Sequence, residues 1–168
     1  EGMPLESLQA GVPWDWRTSA EYLDRLDGTL MPNAGFMVGH SALRRVVMHD
    51  AATERHATAA EIEQMKVLLR QGLAAGGMGF TSPWSPSHND HLGHPVPSRC
   101  ASREELLALC AVVKEFPGTQ LEFIPAVGQF EAEDGVDLLV AIRGNRVIPS
   151  KCSFATERGV KGVGRIRV

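Results

Sequence analysis

The chain has few long apolar runs, few cysteines and few aromatic residues, and each scarcity excludes something. No uninterrupted apolar stretch approaches the roughly 20 residues that a membrane-spanning helix needs. No basic start followed by an apolar core marks a signal peptide near Glu1. The three cysteines, Cys100, Cys110 and Cys152, form an odd set without paired spacing, which argues against a disulfide framework and for a reducing compartment, with the cytoplasm as default. No Gly-x-Ser-x-Gly motif is present, so a serine-hydrolase elbow has no support. The glycines of Gly76-Gly77-Met78-Gly79 end a helical run instead of opening one, the reverse of a phosphate-cradling loop. The chain does not begin with Met, which reads as a missing start.

What is present fits one soluble globular domain: 168 residues, 43% hydrophobic, with a net charge of −3. The charge is uneven. After Arg143 the charged residues are Arg146, Lys151, Arg158, Lys161, Arg165 and Arg167 against Glu157 alone, so the preceding body is acidic. A basic tail can attract nucleic acid, but this one carries no aromatic platform, and nucleic-acid binding is disfavoured.

Periodicity divides the body into alternating elements. The segment through Gly11-Val12-Pro13-Trp14-Asp15-Trp16 reads as loop. Ser19 is placed to cap a helix from Ala20 to Leu26, stopped by Gly28. Residues 34–39 (Ala-Gly-Phe-Met-Val-Gly) form a short apolar run between turn signals and predict a buried strand. Ser41 then stands where it can cap a helix over Ala42 to Met48.

The clearest element follows. Thr58-Ala59-Ala60-Glu61 is a capping box, and Ile62, Met65, Leu69 and Leu73 recur at helical spacing until Gly76-Gly77 stops the helix. A strand from Met78 to Ser82 comes after it. The unit repeats: Ser102-Arg103-Glu104-Glu105 is a second capping box, Leu106, Leu109, Cys110 and Val113 make the buried stripe, and Pro117-Gly118 breaks it. Thr119 to Ile124 is a third strand. A last helix is expected from about Glu131 to Ile142, weakened by Gly135 by roughly 1 kcal/mol.

Strand and helix in alternation predict a parallel α/β sheet with outer helices. A full (β/α)8 barrel needs about 250 residues, so the chain holds an open sheet or about half of a barrel. The expected organisation is a barrel domain over residues 1–142 and a basic tail over 143–168, frameshifted or disordered. Half a barrel exposes sheet edges, which predicts self-association.

In such folds chemistry sits at the carboxyl ends of strands. Two junctions qualify. His40 follows the first strand, either as a polar contact in a pocket or as a partner of the adjacent helix start. Ser82, Pro83 and Trp84 follow the second and open into a loop with His88, Asn89, Asp90, His91 and His94. The His88-x-x-His91-x-x-His94 spacing matches no established zinc pattern. Polar contacts to a substrate and a solvated loop both remain open for His88, Asn89 and Asp90, and packing under the loop remains open for Trp84.

Several separated motifs resemble one family. Val38-Gly39-His40-Ser41-Ala42-Leu43-Arg44, the helix with Glu61 and Met65, and Gly79-Phe80-Thr81-Ser82 are similar in order and spacing to the N-acyl-D-amino-acid deacylases of the amidohydrolase superfamily. Gly93-His94-Pro95-Val96-Pro97-Ser98, Glu104-Glu105-Leu106 and Leu121 to Pro125 resemble a divergent branch of it. The similarity runs from about Glu1 to Ile142.

The resemblance implies a metal-dependent TIM-type barrel, with zinc as cofactor, that hydrolyses the amide bond of small N-acylated D-amino acids. It implies that Trp84 walls the acyl or side-chain pocket. With the residues singled out by their places at strand ends and in the polar loop, the substrate-binding candidates are His40, Ser82, Trp84, His88, Asn89 and Asp90. The family's His-x-His pair, bridging Cys and late Asp have no counterparts in this sequence. Where typical members place a ligand His on the strand after the second capped helix, Leu121-Glu122-Phe123 stands, leaving Glu122 as a weak metal-ligand candidate. No catalytic residue is assigned, and a catalytically inactive piece of such an enzyme is the alternative reading.

Overall fold

The structure, a computed structural model, describes residues 3–124 and two dipeptide strands further on. Three strands form a parallel sheet in chain order: β1 (Val38–Gly39), β2 (Gly79–Pro83) and β3 (Gln120–Ile124). Helices separate and cover them: α3 (His40–Met48) and α4 (Ala59–Ala74) between β1 and β2, and α5 (Arg103–Val113) between β2 and β3. Two helices precede the sheet, α1 (Leu5–Gly11) and α2 (Ser19–Leu26). Beyond it β4 (Cys152–Ser153) pairs antiparallel with β5 (Val163–Gly164). The expected helix near residues 131–142, and the boundary at 142, lie outside the described residues. Among the described residues no helix is long and apolar enough to cross a membrane. The expected α/β architecture with parallel strands and outer helices is therefore present.

Local chemistry sets these elements. Thr58 Oγ1 accepts from the Glu61 amide at 3.3 Å, and Glu61 Oε2 accepts from the Thr58 amide at 2.7 Å, so the capping box starts α4 as its sequence predicts. Arg55 adds a two-pronged contact to Glu61 at 2.8 Å on each prong. That contact comes first, with the Thr58 amide second, in holding the Glu61 carboxyl down to about 2. Met65 and Leu69 on the stripe are fully buried, each worth about 1.5–3 kcal/mol of apolar transfer. Gly72 lets α4 lie against the sheet: a Cβ there would meet Val38 Cγ2 at 2.7 Å.

Register sorts the side chains by face. Val38, Phe80 and Leu121 are in register, and Ser82 pairs with Phe123. With the period-two alternation of strands, this set shares the face that meets the helices. Phe80 is buried there beside Leu69, Leu106 and Leu109 in one apolar core, with Val38, Leu121 and Phe123 packed against it. Gly39, Thr81 and Glu122 form the opposite row, pointing away from the helices. In a closed barrel that row faces the interior.

Several local expectations are corrected. The first segment is not all loop, because α1 occupies Leu5–Gly11 after Pro4, whose fixed φ suits a helix start. The cap of α2 is Thr18, which with Glu21 makes a capping box, and Ser19 is already helical. The ladder at β1 is only Val38–Gly39, and α3 begins at His40 without a side-chain cap. Ser41 spends its hydroxyl elsewhere. The second capping box is half made: Ser102 Oγ accepts from the Glu105 amide at 3.2 Å, but the Glu105 carboxylate turns inward.

Candidate functional site

Where Glu105 goes defines the junction. Its Oε1 lies 2.8 Å from His40 Nε2, and its Oε2 accepts a hydrogen bond from Arg44 Nη1. The other ring nitrogen of the imidazole, Nδ1, lies 2.7 Å from Ser82 Oγ. Arg44 is anchored in turn, donating from Nη2 to the carbonyls of Ala52 at 3.0 Å and Arg55 at 2.8 Å. His40, Arg44 and Glu105 are 0% exposed and Ser82 is 1% exposed.

The proton arrangement follows from the chain of partners. Burial acts first on the Glu105 carboxyl and pushes it up, but the hydrogen bonds and charges of His40 and Arg44 outweigh it and leave the group below its ordinary value. Burial is also the largest influence on His40, and it holds the imidazole below its ordinary value against the pull of Glu105. An ionised Glu105 can only accept, so a neutral His40 donates from Nε2. Its Nδ1 then accepts from the Ser82 hydroxyl. The order of hydroxyl, imidazole and carboxylate resembles a nucleophile relay, but Ser82, only 1% exposed, is too buried to meet a substrate. The arrangement binds three elements together.

His40 and Ser82, expected as pocket contacts, thus stand on the helix side of the sheet with their polar atoms taken by protein partners. Trp84, two residues on, stands at the carboxyl end of β2, half-buried, with its ring packed against the edge of the apolar core and 6.5 Å from that of Phe123. Its Nε1 is buried and meets no hydrogen-bond acceptor among the described residues. The loop after it is well built. Asp90 Oδ1 accepts from the amides of Leu92 at 2.8 Å and His94 at 2.9 Å, and Asn89 and Pro95 form an antiparallel bridge. Arg99 donates to Asn89 Oδ1 at 2.6 Å and to the His88 carbonyl at 3.4 Å. Asn89 and Asp90 therefore shape the loop with the atoms expected to reach a ligand. The His94 amide is the first cause, ahead of the Leu92 amide and the His94 charge, of an Asp90 carboxyl lying below its ordinary value.

Glu122 is exposed on the row that faces away from the helices, level with Thr81. Among the described residues no three His, Cys, Asp or Glu side chains gather where they can hold a metal ion. His91 and His94 are exposed members of the loop and join no such group. Asp15, Trp16, Glu21, Asp24, Arg25, Asp27 and Thr29 line an open cleft of about 440 Å³ that includes none of the expected site residues.

Sequence reasoning missed Arg44, Ser98 and Arg99. Arg44 had a signal: it shares a helical stripe with His40 and Met48, where a charge needs a buried partner. Ser98 ended the motif over residues 93–98 that carries the resemblance, but nothing there marked its hydroxyl, and Arg99 had no signal.

No family model matches the chain. A D-aminoacylase from Alcaligenes xylosoxydans xylosoxydans is 36% identical over 109 residues, which are 64% of this chain and 20% of that protein. A crystal structure of D-aminoacylase, described as defining a novel subset of amidohydrolases, is 29% identical with a TM-score of 0.59 and covers 75% of this chain and 24% of its own. N-acyl-D-glutamate deacylase from Bordetella bronchiseptica, solved with zinc and a phosphonate mimic of the tetrahedral intermediate, is 27% identical with a TM-score of 0.61, covering 76% and 25%. A further D-aminoacylase structure, 29% identical with a TM-score of 0.59, addresses a binuclear metal centre with one-metal activation. The chain spans about a fifth to a quarter of the length of these relatives.

Proposed function

We infer that this chain, D-aminoacylase-like in sequence and fold, walls the substrate side of a hydrolase that cleaves the amide bond of N-acyl-D-amino acids. The observation that carries the reading is Trp84. It stands at the carboxyl end of a central parallel strand, where barrel enzymes keep their chemistry, and its indole N–H is a buried donor without an acceptor among the described residues. An unmet buried donor costs about 1–3 kcal/mol, a cost removed when an oxygen of a ligand accepts from it. The part of the ring that the core leaves uncovered suits an acyl group or an aliphatic side chain, and the N–H suits a carbonyl or carboxylate oxygen. His88 is the nearby half-buried group proposed to share that contact, while Asn89 and Asp90 keep the loop in shape.

Zinc is the cofactor this reading implies, as in the solved N-acyl-D-glutamate deacylase complex. The described residues do not fit a metal centre by themselves, since Glu122 stands without companion ligands. Their chemistry is binding and positioning. The same observation favours a second reading, in which the chain binds substrate but does not turn it over.

One experiment separates these. Purified chain with added zinc is given N-acetyl-D-leucine or its L enantiomer, while free amine and the Trp84 indole N–H resonance are followed. The expected result is a shift of that resonance by the D compound. Release of D-leucine supports the full hydrolase, and a shift without release supports the second reading. No shift and no release overturns both.

A further inference from the structure

We propose that His40 and Ser41 are positioning residues that clasp both ends of the 84–101 loop and so set its shape from behind the sheet. The proposal takes from the preceding reading only the identity of that loop as the pocket wall. His40 Nδ1 takes Ser82, the last core residue before the loop, while its Nε2 takes Glu105, in the first turn of the helix after the loop. One imidazole therefore closes a ring whose other side is the loop.

The neighbouring side chain does the same a layer nearer the surface. Ser41 Oγ donates to Ser98 Oγ at 3.0 Å and accepts from the Ser98 amide at 3.1 Å. The Ser98 hydroxyl in turn donates to the carbonyl of Pro83 at 2.7 Å. Pro83 precedes Trp84 directly, so the second clasp also runs from the loop's start to its end. Both clasps rest on the first turn of α3, which is fixed to the core through Leu43 and Arg44.

A buried His–Glu–Arg set is replaceable by apolar residues at little cost or with gain, because desolvation of the charges opposes their attraction. What apolar residues cannot supply is direction. A hydroxyl donating to a fixed tautomer has one geometry, and it pins the Cα of Ser82, hence the exit of the chain towards Trp84.

The test is amide hydrogen exchange on the whole chain carrying Ser82→Ala, which removes one hydroxyl and leaves the rest of the network in place. The loop amides of Asp90 and Val96, bonded within the loop, are expected to exchange about tenfold faster, and the Trp84 indole resonance to broaden or move. The amides in the middle of α4 stay within about twofold. Equal acceleration in α4 and the loop means a general loss of stability and overturns the proposal, as does no change anywhere. Should Ser82→Ala fail to fold, Ser98→Ala cuts the second clasp, which carries no charged group, and the same pattern is required of it. Neither readout depends on substrate, so failure of the hydrolase reading leaves this test intact.

Discussion

Two sets of ion pairs in this molecule have similar chemistry and opposite surroundings. Arg44, Glu105 and His40 lie at the carboxyl end of β2 with no exposed surface, while Arg70 and Glu115 join the outer sides of α4 and the end of α5 with two contacts of 2.7 Å each. The surface pair has the better fork. Its side chains are 38% and 46% exposed, so water and salt screen most of the attraction. The buried set gives up hydration for each charge and depends on every partner being present. Depth, not distance, decides which pair matters.

The comparison is broken most severely at Glu105. Glu105→Ala leaves the Arg44 guanidinium in the core with only the carbonyls of Ala52 and Arg55, and leaves His40 Nε2–H without an acceptor. A loss of about 3–5 kcal/mol is expected in urea unfolding, the usual result of removing one partner of a buried pair. A loss below about 1 kcal/mol means that water reaches Arg44 and that the burial argument is wrong. Arg44→Met with Glu105→Leu is the sharper form, since removing both charges recovers most of the loss.

Acid tests the same region with a smaller, graded effect. His40, its pKa held by burial below the ordinary 6.5, faces Glu105 and Arg44, with Ser82 the neutral partner. In the unfolded chain the imidazole takes up a proton as pH drops through about 6.5, whereas in the folded chain it stays neutral further down. The unfolded state therefore binds more protons over that window. Stability is full above it and falls as pH decreases, by up to about 1.4 kcal/mol per pH unit for this one group. Glu105 and Glu61, both lowered from 4.5, extend the fall at lower pH. The measurement is urea unfolding from pH 8 to pH 4 beside His40→Asn. A slope between pH 6.5 and 5 that the variant keeps shows that another group titrates.

The contrast between depth and surface also explains what could be read from the residues. Thr58 and Glu61 find each other three positions apart, so the start of α4 is legible from local sequence, as are the Met65–Leu69–Leu73 stripe and the glycines that end it. The same local rule misreads Ser102 and Glu105. There the carboxylate is claimed by His40 and Arg44, 65 and 61 residues away, and no local pattern reports a competitor at that distance. Trp84 was legible as an aromatic at a strand end. Its unmet N–H was not, because donor and acceptor accounting needs the whole neighbourhood. The composition of the following loop is ambiguous for a related reason, since Asn and Asp serve turns at least as often as ligands, and Asn89 and Asp90 make loop contacts that only the whole neighbourhood reveals.

The smallest effect belongs to the surface pair, and its size is the informative part. Arg70→Ala and Glu115→Ala, alone and together, form a cycle that isolates the coupling of α4 to the end of α5. The fork raises the Arg70 pKa and lowers that of Glu115, the hydrogen bond leading in both. It is also reached by solvent. The coupling is expected to be far smaller than the loss at Glu105 and to fade in 1 M salt, where screening acts over about 3 Å. The Glu105→Ala loss, by contrast, is expected to be nearly indifferent to salt. If salt weakens both alike, the network around His40 is open to ions and water, and its ability to direct the chain towards Trp84 goes with it.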